Sequence, residues 1–378
     1  MPETKNRFLS LDVFRGLIIC FIIIVNMPGN PETTVPALTF ARWNGFTPAD
    51  IIYPAFLFCT GLGMFFSFQN WREKYTTRKT YYVIVRRSVL LLLIGVLLNW
   101  FPFVQSNMDT GKWEFIPFSQ VRIWGILQRI GCCYLLVGLM VQAFKLRATL
   151  AITLVCLVVY WPVLYYGGSA PHPYSIRQNL VLKVDQWMVG TDHLDQSPLV
   201  PFEEFGFLST FPALANVVAG YLTARFILRS KITYETLTHL LLTGFLLMVL
   251  AYIWNNVFPL NRKLWTSSFS VMSIGLSLDT LALIIFTVDK MRYLKEANFF
   301  RVFGRNPLVA FILSMTMTIP LQLINVQPGL SITDWLYINV FSYTTAYIGS
   351  FLQAAFFMFI IWGLCYLLDK KGEYLTLG

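Results

Sequence analysis

Residues 148–167 read ATLAITLVCLVVYWPVLYYG, a run of 20 positions without an Asp, Glu, Lys or Arg. An α-helix of this length extends about 30 Å, which matches the hydrocarbon thickness of a bilayer. Similar runs recur along the 378 residues, of which 56% are hydrophobic and 13% charged. The sequence therefore predicts an all-α, polytopic helical membrane protein, since such helices satisfy their own backbone hydrogen bonds in lipid. We place about ten transmembrane helices, at residues 10–27, 49–68, 82–103, 122–144, 148–167, 206–228, 237–257, 266–288, 304–324 and 343–368.

Lys and Arg are distributed unequally over the predicted loops. With the amino terminus in the cytoplasm, the segments on that side carry 21 of the 29 basic residues and the opposite side carries seven, while Arg129 lies within a span. This asymmetry follows the positive-inside rule, so both termini are predicted to be cytoplasmic, in the cytoplasmic membrane if the chain is bacterial. The net charge of +10 is an orientation signal. It does not predict a nucleic-acid partner, because the basic residues are scattered over six loops.

A single transmembrane domain, residues 1–378, is the predicted organisation. The first apolar run contains Arg15 and no small-residue cleavage site, so we expect it to be retained as a helix. Two external segments, 28–48 and 168–205, contain several prolines and glycines and are expected to cap the outer mouth. The six cysteines all fall within predicted spans and show no metal-type spacing with histidine, so no metal site is predicted.

Short motifs with polar residues lie within and between the apolar runs. The most informative is FARWNGFTPAD at residues 40–50. The others are SLDVFRG at 10–16, NMPG at 26–29, RIWGILQRI at 122–130, FLST at 207–210, PLNRKLWTSS at 259–268 and GRNP at 304–307. Together they resemble the motifs of the heparan-α-glucosaminide N-acetyltransferase-like family of transmembrane acyltransferases, bacterial type, over nearly the full length. The resemblance implies an integral membrane acyltransferase that takes an acetyl or other acyl group from cytoplasmic acyl-CoA. The acceptor would be an amino sugar or other glycan across the membrane. The implied partners are the lipid bilayer and this acceptor, with a homodimer as a further candidate.

Two positions depart from the family pattern. Phe40 stands where the family motif has a histidine, and Phe205 stands where it has a glutamate. Transfer of an acetyl group from a thioester to an amine needs a base or a nucleophile, and histidine can be either near neutral pH. Phenylalanine can be neither. The alternative function is therefore a catalytically inactive relative that binds or senses acyl-CoA or a glycan, and a secondary transporter is a third hypothesis.

The resemblance assigns roles to twelve residues. The catalytic group is the position of Phe40 with Asn26, Asp50 and His193. Acyl-CoA binding is assigned to Arg15, Gln128, Arg129 and Lys263, and acceptor binding to Trp43, Asn44, Asn261 and Asn306.

Each of these roles has a structural alternative. His193 is the predicted substitute for the missing imidazole, with Glu203 and Glu204 as further candidates, but a loop histidine is usually only solvated. Arg129 within a span either binds an anionic or carbonyl group or pairs with a neighbouring helix. Asp50 alternatively stabilises the amino-terminal end of its helix.

Ionisable residues within the spans suggest one further pair. Asp279 lies about 20 Å into its predicted helix, at a depth similar to that of Arg15. We expect these two residues to form a structural ion pair, although Asp12 is an alternative partner of Arg15.

Overall fold

The computed structural model describes residues 9–106, 112–196, 200–327 and 329–375. Helices dominate this part of the chain. The long helices are α1 (Leu9–Asn26), α2 (Ile52–Lys74), α3 (Thr77–Trp100), α4 (Ile126–Ala143), α5 (Leu146–Gly167), α7 (Thr210–Ser230), α8 (Tyr234–Trp254), α9 (Ser267–Ile285) and α14 (Ala346–Lys371). The shorter helices are α6 (Leu180–Val189), α10 (Leu294–Arg305), α11 (Pro307–Thr316), α12 (Thr318–Leu323) and α13 (Ile332–Leu336). Two small antiparallel hairpins pair β1 (Val104–Ser106) with β2 (Trp113–Phe115), and β3 (Asn325–Gln327) with β4 (Leu330–Ser331).

Within the described residues, nine helices are long and apolar enough to cross a membrane, and a bent pair would make ten. This confirms the predicted all-α, multi-pass architecture. The predicted continuous span at 304–324 is wrong, however, because α10 meets the helical segment 307–323 at an angle of 75°. The break follows from the Asn306–Pro307 step. Proline removes a backbone donor and disfavours helical geometry at the residue before it, and Asn306 has a φ of −121° and a ψ of 50°.

Central and peripheral helices differ in the residues they bury. Helices α1, α2, α7 and α9 are buried along about two-thirds of their length, whereas α3, α5, α8 and α14 expose many Leu, Val, Ile and Phe side chains. Exposed apolar helix faces of this size fit lipid and do not fit water. The chain is therefore an integral membrane protein; among the nine long helices of the described residues, α1, α2, α4, α7 and α9 are mostly buried and the other four face the bilayer.

Two glycines allow the central helices α2 and α7 to approach closely. A Cβ atom on Gly61 would lie 1.9 Å from the Val217 carbonyl oxygen, and one on Gly220 would lie 2.0 Å from the Phe58 carbonyl oxygen. Small residues are the usual means by which membrane helices pack backbone to backbone. This contact holds α2, and hence the residues at its amino-terminal end, in a fixed position against α7.

The end of the bundle that carries Phe40, here called the Phe40 end, has connections that contain short helical segments. Residues 28–51 contain three short 3-10 turns, and the segment 168–205 contains helix α6. A second apolar cluster joins this segment to α5 and to the α8–α9 connection. Its fully buried members are Tyr160, Leu164, Val181, Leu182, Leu194, Phe202, Phe258 and Leu264.

The predicted Arg15–Asp279 ion pair is wrong. Arg15 lies 3.8 Å from the Asp12 carboxylate and donates a hydrogen bond to the Gly304 carbonyl at 3.3 Å. Asp279 instead packs against Gly244 of α8, where a Cβ would lie 2.0 Å from its Oδ1 atom. Equal depth in the bilayer does not place two side chains on facing helix surfaces, which explains the error.

Candidate functional site

Asp50 fixes the loop that carries the 40–50 motif. Its carboxylate is fully buried and accepts hydrogen bonds from the Thr47 backbone N–H at 2.7 Å and from the Ala41 backbone N–H at 3.3 Å. The Thr47 hydroxyl donates to the same carboxylate at 3.0 Å. A carboxylate at this position suits the start of a helix, where backbone N–H groups are unpaired. Asp50 therefore holds Phe40 at the head of α2.

Arg262, from the α8–α9 connection, joins Asp50 to Glu204. The guanidinium is 3% exposed and donates from Nε to Asp50 at 2.9 Å and from Nη2 to Glu204 at 3.0 Å. Lys263 Nζ lies 3.5 Å from the same Glu204 carboxylate. We call Asp50, Glu204, Arg262 and Lys263 the charged cluster. It has two negative and two positive members, so each buried charge is compensated.

Phe40 covers this cluster. The Cζ atom of Arg262 lies 4.1 Å from the centroid of the Phe40 ring, a cation–π geometry. The Phe40 ring also stacks on Tyr53, with centroids 5.5 Å apart, and Tyr53 meets Phe205 edge-to-face at 5.1 Å. The two positions that depart from the family pattern thus enclose the same tyrosine.

A small cavity of about 80 Å³ lies beside Tyr53. Its polar lining residues are Tyr53, Asn99, Arg122 and Gln128, and Phe205 closes one wall. One water needs about 10–15 Å³ of such a cavity volume, so this space accommodates several waters or a small acyl group such as an acetyl.

Arg122, whose side chain is 27% exposed, and the fully buried Glu203 form a second pair at the edge of this cavity. Arg122 donates to the two Glu203 oxygens at 2.8 and 2.7 Å, and Glu203 also accepts the Phe205 backbone N–H at 3.0 Å. Burial lowers and the charge of Glu203 raises the pKa of Arg122, and the net shift is upward, so this arginine stays charged. Burial raises the pKa of Glu203 against the charge and hydrogen bonds of Arg122, so the lasting feature of this pair is the charged guanidinium with its two hydrogen bonds.

The two glutamates considered as substitute bases are committed to arginines. Burial acts to raise the pKa of Glu204, but the charge and hydrogen bonds of Arg262, with Lys263 and Arg122, lower it overall. A carboxylate with a lowered pKa is a weak base. Glu204 is therefore a charge partner of Arg262, whereas burial raises the pKa of Glu203 and its role as a substitute base stays a prediction.

Arg129 supports the segment that carries these glutamates. It is fully buried and donates to the backbone carbonyls of Ser209 at 3.0 Å, Gly206 at 3.2 Å and Glu204 at 3.2 Å. Its Cζ atom also lies 4.8 Å from the Trp265 ring centroid. These contacts correspond to the structural alternative of pairing within the protein. Binding of acyl-CoA by Arg129 stays a prediction.

His193 lies in another environment. Its Nδ1 atom is 2.7 Å from the Val121 carbonyl oxygen, and its ring is 6.0 Å from that of Phe118. In the part of the chain that the structure describes, no hydrogen bond joins the His193 ring to the charged cluster or to Tyr53. Its role as a substitute base stays a prediction, without a supporting contact.

Three predicted acceptor residues attach the motif loop to its surroundings. Asn261 donates to the Asn44 side chain at 3.0 Å, and Trp43 donates to the Tyr174 carbonyl at 2.9 Å. Gly45 donates to the Leu260 carbonyl at 2.8 Å. Motifs that are distant in sequence therefore meet at the Phe40 end.

Two of the twelve predicted residues lie elsewhere. Asn306 is at the bend between α10 and α11 and donates to the Glu373 carbonyl at 3.3 Å. Arg15 contacts the neighbouring Gly304, at the other end of α1 from Asn26. Eleven residues of helix separate Arg15 from Asn26, which corresponds to about 17 Å. The predicted residues thus form a main group at the Phe40 end and a smaller group near the opposite end.

The sequence reasoning missed Tyr53, Asn99 and the central position of Arg262. Tyr53 follows Asp50 by three residues, a spacing that places two side chains on one helix face. That spacing is the signal that could have identified it. Among the described residues, no group of three or more His, Cys, Asp or Glu side chains is arranged to hold a metal ion.

The fold and site define a class: a multi-pass integral membrane protein with a compensated charge cluster and a small polar cavity at one end of its central helices. Heparan-alpha-glucosaminide N-acetyltransferase of Mus musculus is 25% identical to the chain over 374 residues, covering 82% of this chain and 54% of that protein. The Homo sapiens protein of the same name is 23% identical over 358 residues, covering 81% and 52%. The chain is thus a distant relative of these N-acetyltransferases, and it spans about half the length of the curated relatives it matches. No protein-family model matches it.

Proposed function

We propose that this protein is a membrane acyltransferase that moves an acyl group from an acyl-CoA thioester to the amine of an amino sugar or glycan. The observation that carries the proposal is the meeting of separate motifs around Tyr53. Phe40 of the 40–50 motif stacks on Tyr53, and Arg262 of the 259–268 motif lies 5.8 Å from its ring centroid. Residues of the 122–130 motif line the cavity beside it. The similarity to the two N-acetyltransferases supports the same reaction class.

Fixed hydrogen-bond donors at the site suit a thioester reaction. When an amine attacks the acyl carbon, negative charge develops on the carbonyl oxygen, and fixed donors aimed at that oxygen lower the barrier. Tyr53, Asn99, Arg122 and Gln128 bring such donor groups to the cavity, and the charge of Arg122 is offset by Glu203. By the predicted orientation, the Phe40 end faces away from the cytoplasm, so acyl-CoA would reach the cavity through the bundle and the acceptor would arrive from the far side.

One observation favours a second candidate function, an inactive relative that retains the binding site. Phe40 and Phe205 place two apolar rings where acid–base groups stand in the family pattern. A general base typically contributes a factor of about 10²–10⁴ to a rate. An enzyme that lacks one would transfer acyl groups slowly unless another group compensates.

The experiment is transfer of labelled acetyl from acetyl-CoA to glucosamine by purified protein, beside Phe40→His. Phe115→His is the matched control, because Phe115 is an exposed ring on β2, in a connection of the Phe40 end. Transfer by the unaltered protein supports the enzyme and excludes the inactive relative. Transfer by Phe40→His alone supports the inactive relative. If neither the unaltered protein nor Phe40→His transfers acetyl although both are folded, acetyl-CoA and glucosamine are contradicted as substrates.

A further inference from the structure

Tyr53 supplies the single side-chain hydroxyl in a group of three aromatic rings. Its ring is stacked on Phe40 and meets Phe205 at its edge, with centroid distances of 5.5 and 5.1 Å. Phe40 and Phe205 have no polar side-chain atoms, so they position the Tyr53 ring without offering a hydrogen bond. The place where the family pattern has a histidine and a glutamate is thus an aromatic clamp around one phenol.

Two arginines lie near Tyr53, and each is paired with a carboxylate. The Cζ atom of Arg262 is 5.8 Å from its ring centroid, and Arg122 lines the same cavity. The side-chain amide of Asn26 interacts with the phenol oxygen. A hydroxyl donor held in place at this cavity is suited to bind an oxygen atom that gains negative charge.

The other polar groups of the cavity are committed to partners within the protein. Asn99 donates to the carbonyls of Arg122 and Trp124, both at 3.0 Å, and Gln128 donates to the Ile123 carbonyl at 2.8 Å. Arg122 is bound by both oxygens of Glu203. Tyr53, assisted by Asn26, is therefore the group best placed to meet a ligand atom in this space.

We propose that the Tyr53 hydroxyl donates a hydrogen bond to the acyl carbonyl oxygen of the thioester donor. This inference rests on the proposed function. A phenol with an ordinary pKa of about 10 is protonated at neutral pH, so Tyr53 acts as a donor and not as a base. It would stabilise the oxyanion in a site that has lost the imidazole.

Tyr53 keeps its proton and forms no covalent bond during the acyl transfer. The lone pair of the neutral acceptor amine forms the new nitrogen–carbon bond, and the carbonyl oxygen takes the negative charge under the Tyr53 hydrogen bond. The carbonyl reforms as the carbon–sulfur bond breaks, and the sulfur leaves as a thiolate. The proton lost by the amine nitrogen goes to that thiolate, so the products are an amide and a thiol.

The test compares wild type, Tyr53→Phe and the control Tyr221→Phe. Tyr221 is a buried tyrosine of α7 that also contacts phenylalanine rings, Phe65 and Phe68. Phe65 lies 12 residues beyond Tyr53 on α2, about 18 Å further along the helix. Tyr53→Phe therefore removes a phenol hydroxyl inside the site, and Tyr221→Phe removes one outside it.

The first readout is kinetic. Loss of one oxyanion donor typically lowers kcat by about 10²–10³. We expect this loss of kcat in Tyr53→Phe, with a rise of at most about tenfold in KM for acetyl-CoA, and no loss in Tyr221→Phe. A wild-type kcat in Tyr53→Phe overturns the assignment while leaving the proposed function standing.

The second readout is binding, and it needs no turnover. The probes are the ketone analogue of acetyl-CoA in which a methylene replaces the thioester sulfur, and S-ethyl-CoA, which lacks the carbonyl. Wild type and Tyr221→Phe should prefer the ketone by about five- to tenfold, the usual value of one hydrogen bond. Tyr53→Phe should lose this preference.

The two readouts separate the two proposals. A wild type that never transfers acetyl but shows a Tyr53-dependent ketone preference contradicts the proposed enzyme and supports the Tyr53 contact. A ketone preference that persists in Tyr53→Phe overturns the contact. Failure of the wild type to bind either probe overturns both.

Discussion

Replacement of Arg262 by methionine should destabilise the protein strongly. The substitution keeps much of the side-chain volume but removes the partner of Asp50, whose carboxylate is fully buried, and of Glu204. Removal of one member of a buried ion pair costs about 3–5 kcal/mol, because the remaining charge is left without compensation. Glu204 keeps Lys263 at 3.5 Å, so most of the cost falls on Asp50.

The loss is measurable as a shift in Tm in detergent. At about 2 °C per kcal/mol, a cost of 3–5 kcal/mol lowers Tm by roughly 6–10 °C. A thiol-reactive fluorophore provides the assay, because Cys20, Cys59, Cys133 and Cys365 are free and buried and become reactive on unfolding. Arg42→Met is the control: Arg42 is an exposed residue of the same motif loop, and such substitutions usually change stability by less than about 0.5 kcal/mol.

The double variant Arg262→Met with Asp50→Asn isolates the pair. Since Asp50→Asn removes the uncompensated charge, the combined loss should be smaller than the sum of the two single losses by about 1–3 kcal/mol. Additive losses, or an Arg262→Met protein as stable as Arg42→Met, would refute the reasoning that the charged cluster is a unit of stability.

Two further outcomes follow from buried contacts elsewhere in the fold. Burial raises the pKa of Asp185 to about 7, although a hydrogen bond from the Phe207 backbone N–H acts to lower this pKa. The folded state therefore favours the protonated carboxyl more than the unfolded chain does. Its contribution to stability is fully present below the unfolded pKa of about 3.9 and is lost as pH rises through 7. Tm measured from pH 5 to 8.5 should therefore fall more steeply for wild type than for Asp185→Asn, and parallel curves would contradict this. Gly61→Ala should lower Tm and the yield of folded protein, because its Cβ would lie 1.9 Å from the Val217 carbonyl oxygen. Gly363→Ala, where a Cβ meets no atom within 4 Å, should leave both unchanged.

The apolar runs were sufficient to predict the architecture, because a helix in lipid must be long, apolar and internally hydrogen-bonded. The ends of the predicted spans needed adjustment by a few residues, as at α3, which begins at Thr77 and not at 82. The bend at Asn306–Pro307 was visible as a proline, but a hydropathy pattern does not report the angle between two helical segments.

The site was predictable in some of its members and not in its pairings. The motifs identified Asp50 but not the central position of Arg262, which is 212 positions from Asp50 and 58 positions from Glu204. Which carboxylate meets which arginine depends on the packing of α2, α7 and α9, so sequence patterns left Glu204 as a candidate base. Tyr53 was missed because it lies within an apolar run, where a tyrosine is usually a packing residue.

The charged cluster also explains how a phenylalanine fits at position 40 without rebuilding the site. The four ionised members balance to zero, so a side chain at position 40 must be uncharged to leave that balance intact. An imidazole beside the Arg262 guanidinium would be held neutral by charge repulsion, and a phenyl ring is neutral in any case. The ring further gains the cation–π contact at 4.1 Å and the stack on Tyr53. A phenylalanine in place of a histidine at position 40 would therefore remove a proton acceptor while the electrostatics that hold Asp50, Glu204 and Arg262 stay the same. For this reason the question of activity comes down to what the remaining hydroxyl of Tyr53 can do.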